Sequence, residues 1–441
     1  MNSPARLFST WSLIALVVGN AVGAGIYTTS GFALADLGSR EWVMLGWLVA
    51  GLVAIAGAVS YGMLVRHITE SGGEYVFLSR AIHPLAGFIA GWVSLLAGFP
   101  GAIAFAALAF EAYLSSAVPW LQQLPATVMA ITVTVCAGLL HAFRVRTGVR
   151  SHQNLVLLML IILVLLVLAA SFVIVSTAPA NEIPTRTPSP FNLFAFAGTL
   201  VWISLSYSGF NAAAYVAGEV EQARETVPRG MVLGTVLTMV LCLAVNWVLL
   251  YGADASLIQG RADIAAVVAD SLGGSTARQL VQLVVAISLL TSITAMALAG
   301  PRVYAKMAED GALPALFKQR HGHPPRSSIA LQVAISVLLI SLSDLRGLMS
   351  YLGFTLSLCL ALAVSSLFVL HWRRGQRPAS VWYPVAPLVF VVCTVLFAVL
   401  SAIHQPLQAL ALLPVVGLGT LAYWVSVHRV RINSPQQKTE F

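Results

Sequence analysis

The chain has 441 residues, of which 59% are hydrophobic and only 9% are charged, and its formal net charge is +8. A soluble protein of this length needs far more charge on its surface, so the composition excludes that class and predicts a helical membrane protein. The 24 lysines and arginines lie at the ends of apolar runs rather than in one patch. We therefore expect them to set membrane topology, and we expect no nucleic-acid partner.

Apolar runs of about 20 residues recur along the whole chain and predict 12 transmembrane helices. The predicted spans are residues 11–35, 41–65, 84–116, 124–143, 153–176, 192–218, 229–252, 277–307, 328–343, 347–370, 381–402 and 405–427. A short surface helix is predicted at 262–272, between the seventh and eighth spans. The predicted fold class is therefore an all-α polytopic membrane protein with a single transmembrane domain over residues 1–441.

The distribution of basic residues predicts the orientation. With both termini in the cytoplasm, 19 of the 24 basic residues fall on the cytoplasmic side. The positive-inside rule then supports an even number of spans and makes residues 428–441 a cytoplasmic tail. The first span lacks a small-residue cleavage site at its end, so we expect it to be retained as a helix that lies in the lipid bilayer.

The first span contains three glycines and an asparagine within seven residues, at Gly19, Asn20, Gly23 and Gly25. Glycine costs about 1 kcal/mol relative to alanine in a helix interior, so this segment is predicted to unwind. Backbone freed at membrane depth must line a cavity or a ligand, and broken helices build the substrate sites of many transporters. Close helix packing through small residues is the alternative interpretation.

A second polar stretch, Trp202–Asn211, interrupts the sixth span. It lies five spans after the first interruption. Because five is odd, two five-span units would lie in opposite orientations in the membrane. The sequence therefore predicts a five-plus-five inverted repeat with broken helices 1 and 6, made of residues 11–176 and 192–370, with two additional helices at 381–427.

The two interruptions offer complementary backbone groups. The N–H groups of the turn Val22–Ile26 lie at the positive end of a half-helix, which suits a carboxylate. Carbonyl groups near 206–211 suit an ammonium group. An anion site beside a cation site describes a zwitterion, so the predicted substrate is an α-amino acid.

Several motifs carry a resemblance to a known family. The turn Gly23-Ala24-Gly25-Ile26-Tyr27 resembles the Gly-x-Gly-Ile-Phe signature of the amino acid–polyamine–organocation superfamily. Segments that resemble bacterial amino acid permeases are Tyr207–Asn211, Ala217–Val220, Pro228–Gly230, Gly300–Val303 and Met307–Pro314. The resemblance covers residues from about 12 to 314. It implies the inverted-repeat fold of the leucine-transporter type and transport by alternating access.

The resemblance also implies positions for the substrate. Its carboxylate would bind at Gly23–Gly25, its ammonium group at carbonyls near Val22 and Leu205–Ser208, and its side chain near Asn211. The implied substrate-binding set is Val22, Gly23, Ala24, Gly25, Ile26, Leu205, Ser206, Tyr207, Ser208, Gly209 and Asn211. Family members often have a bulky aromatic gate where this chain has Leu205. Trp202 and Phe210 are therefore further gating candidates, with ordinary core packing as the alternative.

Two kinds of residue are candidates for coupling transport to an ion. Many relatives carry a lysine in span 5, but here Gln153-Asn154 is followed by Leu160 at the matching position. The hydroxyls of Ser288, Thr291, Ser292 and Thr294 on span 8 offer oxygen ligands, which sodium prefers, with Thr291 and Ser292 as the candidate site. Hydrogen bonding back to their own helix is the alternative.

Glu111 in span 3 is the other coupling candidate, because carboxylates within a membrane are costly and usually functional. It is a candidate to carry a proton or attract a cationic side chain, and snorkelling to the outer interface is the alternative.

The expected function is secondary active transport of neutral amino acids across the cytoplasmic (inner) membrane. Asn211 rather than an acid faces the predicted pocket, which favours neutral substrates. A transporter or exchanger of cationic amino acids or polyamines is the alternative through Glu111, and a channel is the alternative of a different class. The sequence contains no Ser-His-Asp grouping, phosphate loop or metal-ligand spacing, so we expect neither an enzyme nor a bound cofactor or metal. The choice between proton, sodium and exchange coupling stays open, as does that between monomer and homodimer.

Overall fold

A computed structural model describes residues 9–143, 149–177, 190–318, 326–375, 377, 378, 380–404 and 406–433. Within these residues the secondary structure is helical and contains no strand. Nine helices of the described part are long and apolar enough to cross a membrane, and shorter apolar helices lie at 128–142, 326–342 and 412–425. The protein is therefore polytopic, while the count of 12 spans stays a prediction. Parts of the topology prediction that lie outside the described residues are Arg6, Arg144, Arg146, Arg186, Arg320, Lys438 and the tail 434–441.

The first half of the chain forms eight α-helices. They are α1 (Thr10–Ala21), α2 (Ala24–Leu37), α3 (Arg40–His67), α4 (Gly73–Ala81), α5 (Pro84–Val93), α6 (Phe99–Ala117), α7 (Val128–Phe143) and α8 (Val149–Thr177). A π-helical turn, Ser94–Gly98, joins α5 and α6 into one long span, and a 3₁₀ turn, Pro119–Gln123, precedes α7.

The second half forms eight more. They are α9 (Leu193–Ser206), α10 (Ala223–Tyr251), α11 (Ala255–Ile258), α12 (Ile264–Glu309), α13 (Arg326–Leu342), α14 (Leu345–Arg374), α15 (Val385–His404) and α16 (Pro406–Asn433). Between α9 and α10 the chain forms twelve residues of 3₁₀ helix, Ser208–Glu219, which we call the 3₁₀ segment.

Local sequence explains where several helices begin. Ser9, Ser39, Asn192 and Asp344 each precede a helix and accept a backbone N–H of its first turn with the side-chain oxygen. These residue types satisfy N–H groups that have no acceptor within the helix. The helix predicted at 262–272 forms the first part of α12, and the chain bends after it at Gly274, whose φ of 68° suits glycine. The sequence did not predict α4.

Predicted spans that are five positions apart pack against each other. α3 lies along α10, α6 along α12 and α7 along α13. The interrupted first span contacts the interrupted sixth, since α2 packs on α9 and α1 packs on the 3₁₀ segment. α15 covers α3, α9 and α14, whereas α8 and α15 expose many leucine and valine side chains. Apolar exposure of this kind on long apolar helices fits contact with lipid.

Loops from distant parts of the sequence meet at the two ends of the helix bundle. At one end, Tyr75 donates to Asp310 and the Gly218 N–H donates to Ser71. We call this the basic end, because the charge pattern predicts it to be cytoplasmic. At the opposite end, the Gly260 N–H donates to the Gly31 carbonyl.

Candidate functional site

The first predicted span is interrupted in the middle of the buried core. α1 ends at Ala21, the Val22 N–H makes the last helical bond, to the Val18 carbonyl, and α2 begins at Ala24. Gly23 precedes α2 without a side chain that could accept its N–H groups. The first N–H groups of α2, from Ala24 to Ile26, therefore have no acceptor within the helix and form its positive pole.

The sixth predicted span is interrupted at Tyr207. α9 ends at Ser206, and the Tyr207 N–H contacts the carbonyls of Ile203 and Ser204. The carbonyls of the last turn form the negative pole of α9. The chain continues as the 3₁₀ segment rather than as a second α-helical half, which the sequence did not predict.

The two interruptions lie directly against each other. A Cβ atom added at Gly25 would lie 3.0 Å from the Ser206 Cα, and one added at Gly209 would lie 2.6 Å from the Ala21 nitrogen. Only glycine permits approaches this close. The positive end of α2 thus meets the negative end of α9, and binding of the carboxylate and the ammonium group of one zwitterion by this pair of poles stays a prediction.

α12 adds hydroxyl groups to the edge of this region. A Cβ atom at Gly23 would lie 3.3 Å from the Ser292 Oγ, and Ser288 interacts with the Tyr27 hydroxyl. In contrast, Thr291 donates to the Ile287 carbonyl at 2.8 Å and Thr294 to the Thr291 carbonyl at 2.9 Å, both within α12. The structure therefore brings Ser292 to the first interruption and binds Thr291 to its own helix, and the sodium site stays a prediction.

Trp202 is buried and joins three helices near the opposite end. Its indole N–H donates to the Ser350 hydroxyl on α14 at 2.7 Å. The guanidinium carbon of Arg346 lies 5.1 Å from the centroid of the Trp202 ring, and Arg346 also forms an ion pair with Asp36 at the end of α2. Movement of α9 away from α14 would break the two contacts of Trp202, which is the behaviour expected of a gate.

The other gating candidates lie elsewhere. The Phe210 ring packs edge-on against Tyr61 of α3 at 5.4 Å and against Phe390 of α15 at 5.8 Å between ring centroids. This position fits core packing. Leu205 is partly buried and packs against the main apolar core.

Asn211 lies in a hydrogen-bonded cluster that the sequence did not predict. Its side-chain amide donates to Glu74 Oε1 at 2.6 Å, and the Tyr61 hydroxyl donates to the same oxygen at 2.7 Å. The Tyr215 hydroxyl donates to Glu74 Oε2 at 2.5 Å. The structure thus directs the amide of Asn211 toward α4, and its role beside the substrate side chain stays a prediction.

Sequence reasoning missed Glu74 because residues 70–74 form a polar stretch between two apolar spans. Glu74 nevertheless is one of the buried charged residues of the described chain, with 4% of its surface exposed. The sequence feature that could have indicated its burial is the apolar run Tyr75–Leu78 that follows it. Such a run indicates that the segment packs against the rest of the protein.

Glu111 has a different environment. Its two carboxylate oxygens accept the backbone N–H groups of Thr127 at 2.7 Å and Ala130 at 2.8 Å. Thr127 has a φ of 73°, and α7 begins at the next residue. Glu111 therefore caps α7 from the neighbouring helix, which accounts for its carboxylate at this depth, and its coupling role stays a prediction.

Two cavities stand out on the described part of the chain. One of about 440 Å³ opens at the basic end and is lined by Thr69 and residues between Ala217 and Glu225. The other, of about 210 Å³, lies between α8, α10 and α12 and has an almost entirely apolar lining that includes Tyr27. Neither is lined by Gly23–Ile26 or by residues 205–211. The close approaches at Gly25 and Gly209 show that the two interruptions are packed together in this conformation.

The chain is similar to several known proteins over most of its length. Residues 8–422 match a family model described as amino acid permease. The chain is 24% identical over 386 residues to the serine/threonine exchanger SteT of Bacillus subtilis (strain 168), which covers 86% of this chain and 87% of that protein. It is 23% identical over 433 residues to the large neutral amino acids transporter small subunit 2 of Mus musculus, and the match covers 95% of this chain and 80% of that protein. It is 24% identical over 413 residues to the cystine/glutamate transporter of Homo sapiens, and the match covers 89% of this chain and 79% of that protein.

Proposed function

Because the chain belongs to the amino acid permease family, we propose that it carries neutral amino acids across the cytoplasmic membrane of a bacterium as a secondary transporter. The observation that supports this most is the contact of the α2 N-terminus with the α9 C-terminus, marked by Gly25 and Ser206. Opposite helix poles at this buried position suit the two charges that every α-amino acid carries.

The residues around the interruptions favour a neutral side chain. The side chains next to the two poles are those of Ser206, Thr29 and Ser292, which are polar but uncharged. Glu111 was the residue that favoured a cationic substrate, and its oxygens are engaged by the N-terminus of α7. The carboxylate of Glu74 accepts three hydrogen bonds, so it too is engaged. A buried cationic group would need a free carboxylate as its partner.

The packing supports the inverted repeat as part of this proposal. Four pairs of spans that are five apart contact each other, as expected if residues 11–176 and 192–370 are two related units around a common centre. Residues 381–427 would then add two outer helices, and the positive-inside rule would place both termini in the cytoplasm.

The contacts at the two ends support alternating access. The opposite end is closed by Trp202 with Ser350 and by Asp36 with Arg346. The basic end is closed by the Glu74 cluster and by Gly218 with Ser71. Because the contacts at one end share no residue with those at the other, each end can open while the other stays closed.

The test is uptake by proteoliposomes that contain the purified protein. Liposomes preloaded with unlabelled alanine, serine or leucine should accumulate the same labelled amino acid, and the rate should saturate with its concentration. Excess lysine, arginine or putrescine should not compete. Competition by these cations with no exchange of neutral amino acids would contradict the proposal, as would single-channel currents. Runs with and without sodium also test the Thr291 and Ser292 site.

A further inference from the structure

Glu74 is a buried carboxylate that holds three structural elements together. It lies in the first turn of α4, and only 4% of its surface is exposed. Tyr61 of α3 donates to one of its oxygens, and Tyr215 of the 3₁₀ segment donates to the other. Asn211, also of the 3₁₀ segment, donates to the same oxygen as Tyr61. The Glu74 side chain therefore ties α4 to both elements at the basic end.

The described residues around Glu74 provide no cation to balance its charge. The titratable groups that face it are the phenols of Tyr61 and Tyr215 and the thiol of Cys359 on α14, which are ordinarily neutral at pH 7. α5, which also packs on α4, contains no titratable residue.

The charged groups of the same end are engaged with each other. Arg80 pairs with Glu70 at 2.9 Å, and Lys306 pairs with Asp310 at 3.0 Å. The hydroxyl of Tyr75, the residue after Glu74, donates to Asp310 and therefore interacts with the Lys306–Asp310 pair rather than with Glu74. The carboxylate of Glu74 is thus stabilised by hydrogen bonds from neutral donors rather than by an ion pair.

The geometry fits the ionised form of Glu74. Distances of 2.5 to 2.7 Å between the two phenol oxygens and the carboxylate are those of hydrogen bonds to a charged acceptor. Binding of a proton from water forms a new O–H bond and turns one carboxylate oxygen into a donor. A protonated Oε1 is a neutral and therefore weaker acceptor, so the hydrogen bonds that it accepts from the Asn211 nitrogen and the Tyr61 hydroxyl become weaker. Protonation therefore weakens the contacts of α4 with α3 and the 3₁₀ segment.

We propose that Glu74 is a proton-binding site whose protonation opens the basic end of the transporter. In its ionised form Glu74 keeps α4 bound to Tyr61, Asn211 and Tyr215, and the basic end is closed. The protonated form releases the 3₁₀ segment and admits water and substrate. This inference rests on the proposed function, because the opening is measured partly through amino acid exchange.

The first experiment compares exchange by the wild type and by Glu74→Gln between about pH 7.5 and 4, with equal pH on both sides of the liposome. Exchange by the wild type should rise as the pH falls, by up to roughly tenfold per pH unit while one proton is bound. Glu74→Gln mimics the protonated form, so its rate should be high and independent of pH. Glu111→Gln is the matched control and should retain the pH profile of the wild type.

The second experiment measures opening without transport. Cys359 lies beside Glu74, and its reaction with a water-soluble maleimide reports water access to this region. The other cysteines (Cys136, Cys242 and Cys393) are replaced by serine. At a constant pH of 7.5, Cys359 should react faster in Glu74→Gln than with Glu74 present. Because the charge of Glu74 acts on the thiol, each rate is divided by the rate of a small membrane-permeant maleimide on the same protein, which reports the reactivity of the thiol itself.

Three outcomes would overturn the inference. One is a Glu74→Gln variant that keeps the pH profile of the wild type, as a merely structural residue would; another is wild-type exchange that does not change with pH. The third is equal labelling of Cys359 in both proteins. If no amino acid is transported at all, the proposed function fails, while the labelling experiment still decides on Glu74. Tyr215→Phe removes one donor to the carboxylate and keeps its charge, so Cys359 should also react faster in this variant than in the wild type.

Discussion

The indole N–H of Trp202 donates to the Ser350 hydroxyl at 2.7 Å, and this single bond joins α9 to α14 in the buried interior. Both side chains are nearly inaccessible to solvent, so no water can replace either partner. The bond links the interrupted sixth span to a helix of the surrounding bundle. It is therefore a contact that must break when α9 moves away from α14.

Ser350→Ala should destabilise the protein, because it leaves the Trp202 N–H buried without an acceptor. The expected loss is about 1–3 kcal/mol, which thermal unfolding in detergent detects as a lower melting temperature. Ser365→Ala is the control, since Ser365 lies on the same helix and bonds only to the Ala361 carbonyl of that helix. Equal melting temperatures for the two variants would contradict this role of Ser350.

Gly25→Ala should reduce amino acid uptake by at least about tenfold, because the added methyl group would push α2 away from α9 and separate the two helix poles. Gly198→Ala on α9 is the control, since a Cβ atom there has no neighbour within 4 Å. Ser206→Gly removes the two atoms nearest to the new methyl group, so the double variant should recover part of the lost melting temperature. Normal uptake by Gly25→Ala would show that close approach here is not required.

Glu111→Ala should lower stability by about 1–2 kcal/mol, because two backbone N–H groups at the start of α7 lose a charged acceptor. Hydrogen exchange measured by mass spectrometry should show faster exchange at Thr127 and Ala130. Uptake of neutral amino acids should keep its dependence on pH. A variant of unchanged stability that loses this dependence would instead make Glu111 the coupling residue.

The ion pair of Glu70 with Arg80 should make a small contribution that depends on pH. The hydrogen bond from Arg80 lowers the pKa of Glu70 below its ordinary value of 4.5, so the pair stabilises the folded protein above that range. This contribution is lost as the pH falls through the lowered pKa. Because both side chains are nearly half exposed, Glu70→Gln should cost only about 0–1 kcal/mol at pH 7 and nothing in acid.

Melting temperatures at pH 7 and in acid test this prediction. Glu225→Gln is the control, since Glu225 and Arg229 lie 3.8 Å apart and are more exposed. If the melting temperatures of Glu70→Gln and the wild type differ more in acid than at pH 7, the prediction is wrong.

The sequence predicted the two interruptions because their cause is local. Gly23 and Gly25 weaken the helix, whatever packs around them, and the apolar runs on either side still require a span. The sequence shows a glycine in each interruption, Gly25 and Gly209. It does not show that Gly25 contacts the sixth span and Gly209 contacts the first. That contact depends on how two spans far apart in the sequence pack.

Glu74 shows what local patterns do not contain. Its burial results from packing of α4 against α5, α14 and the 3₁₀ segment, and its three donors come from positions 61, 211 and 215. A hydropathy profile predicts a loop at Glu74, because it averages the hydropathy of residues that are neighbours in sequence rather than in space. Conversely, Glu111 stood out as a charge in an apolar run, although backbone N–H groups of a neighbouring helix account for it.

The 3₁₀ segment is unusually long for this kind of helix, which rarely exceeds three or four residues. A 3₁₀ helix rises about 2.0 Å per residue and an α-helix about 1.5 Å, so rewinding all twelve residues would shorten the segment by about 6 Å. The same change would also turn its far end around the helix axis. Such a change in backbone winding would draw Asn211 and Tyr215 away from α4 and would shift α9 and α10 relative to each other.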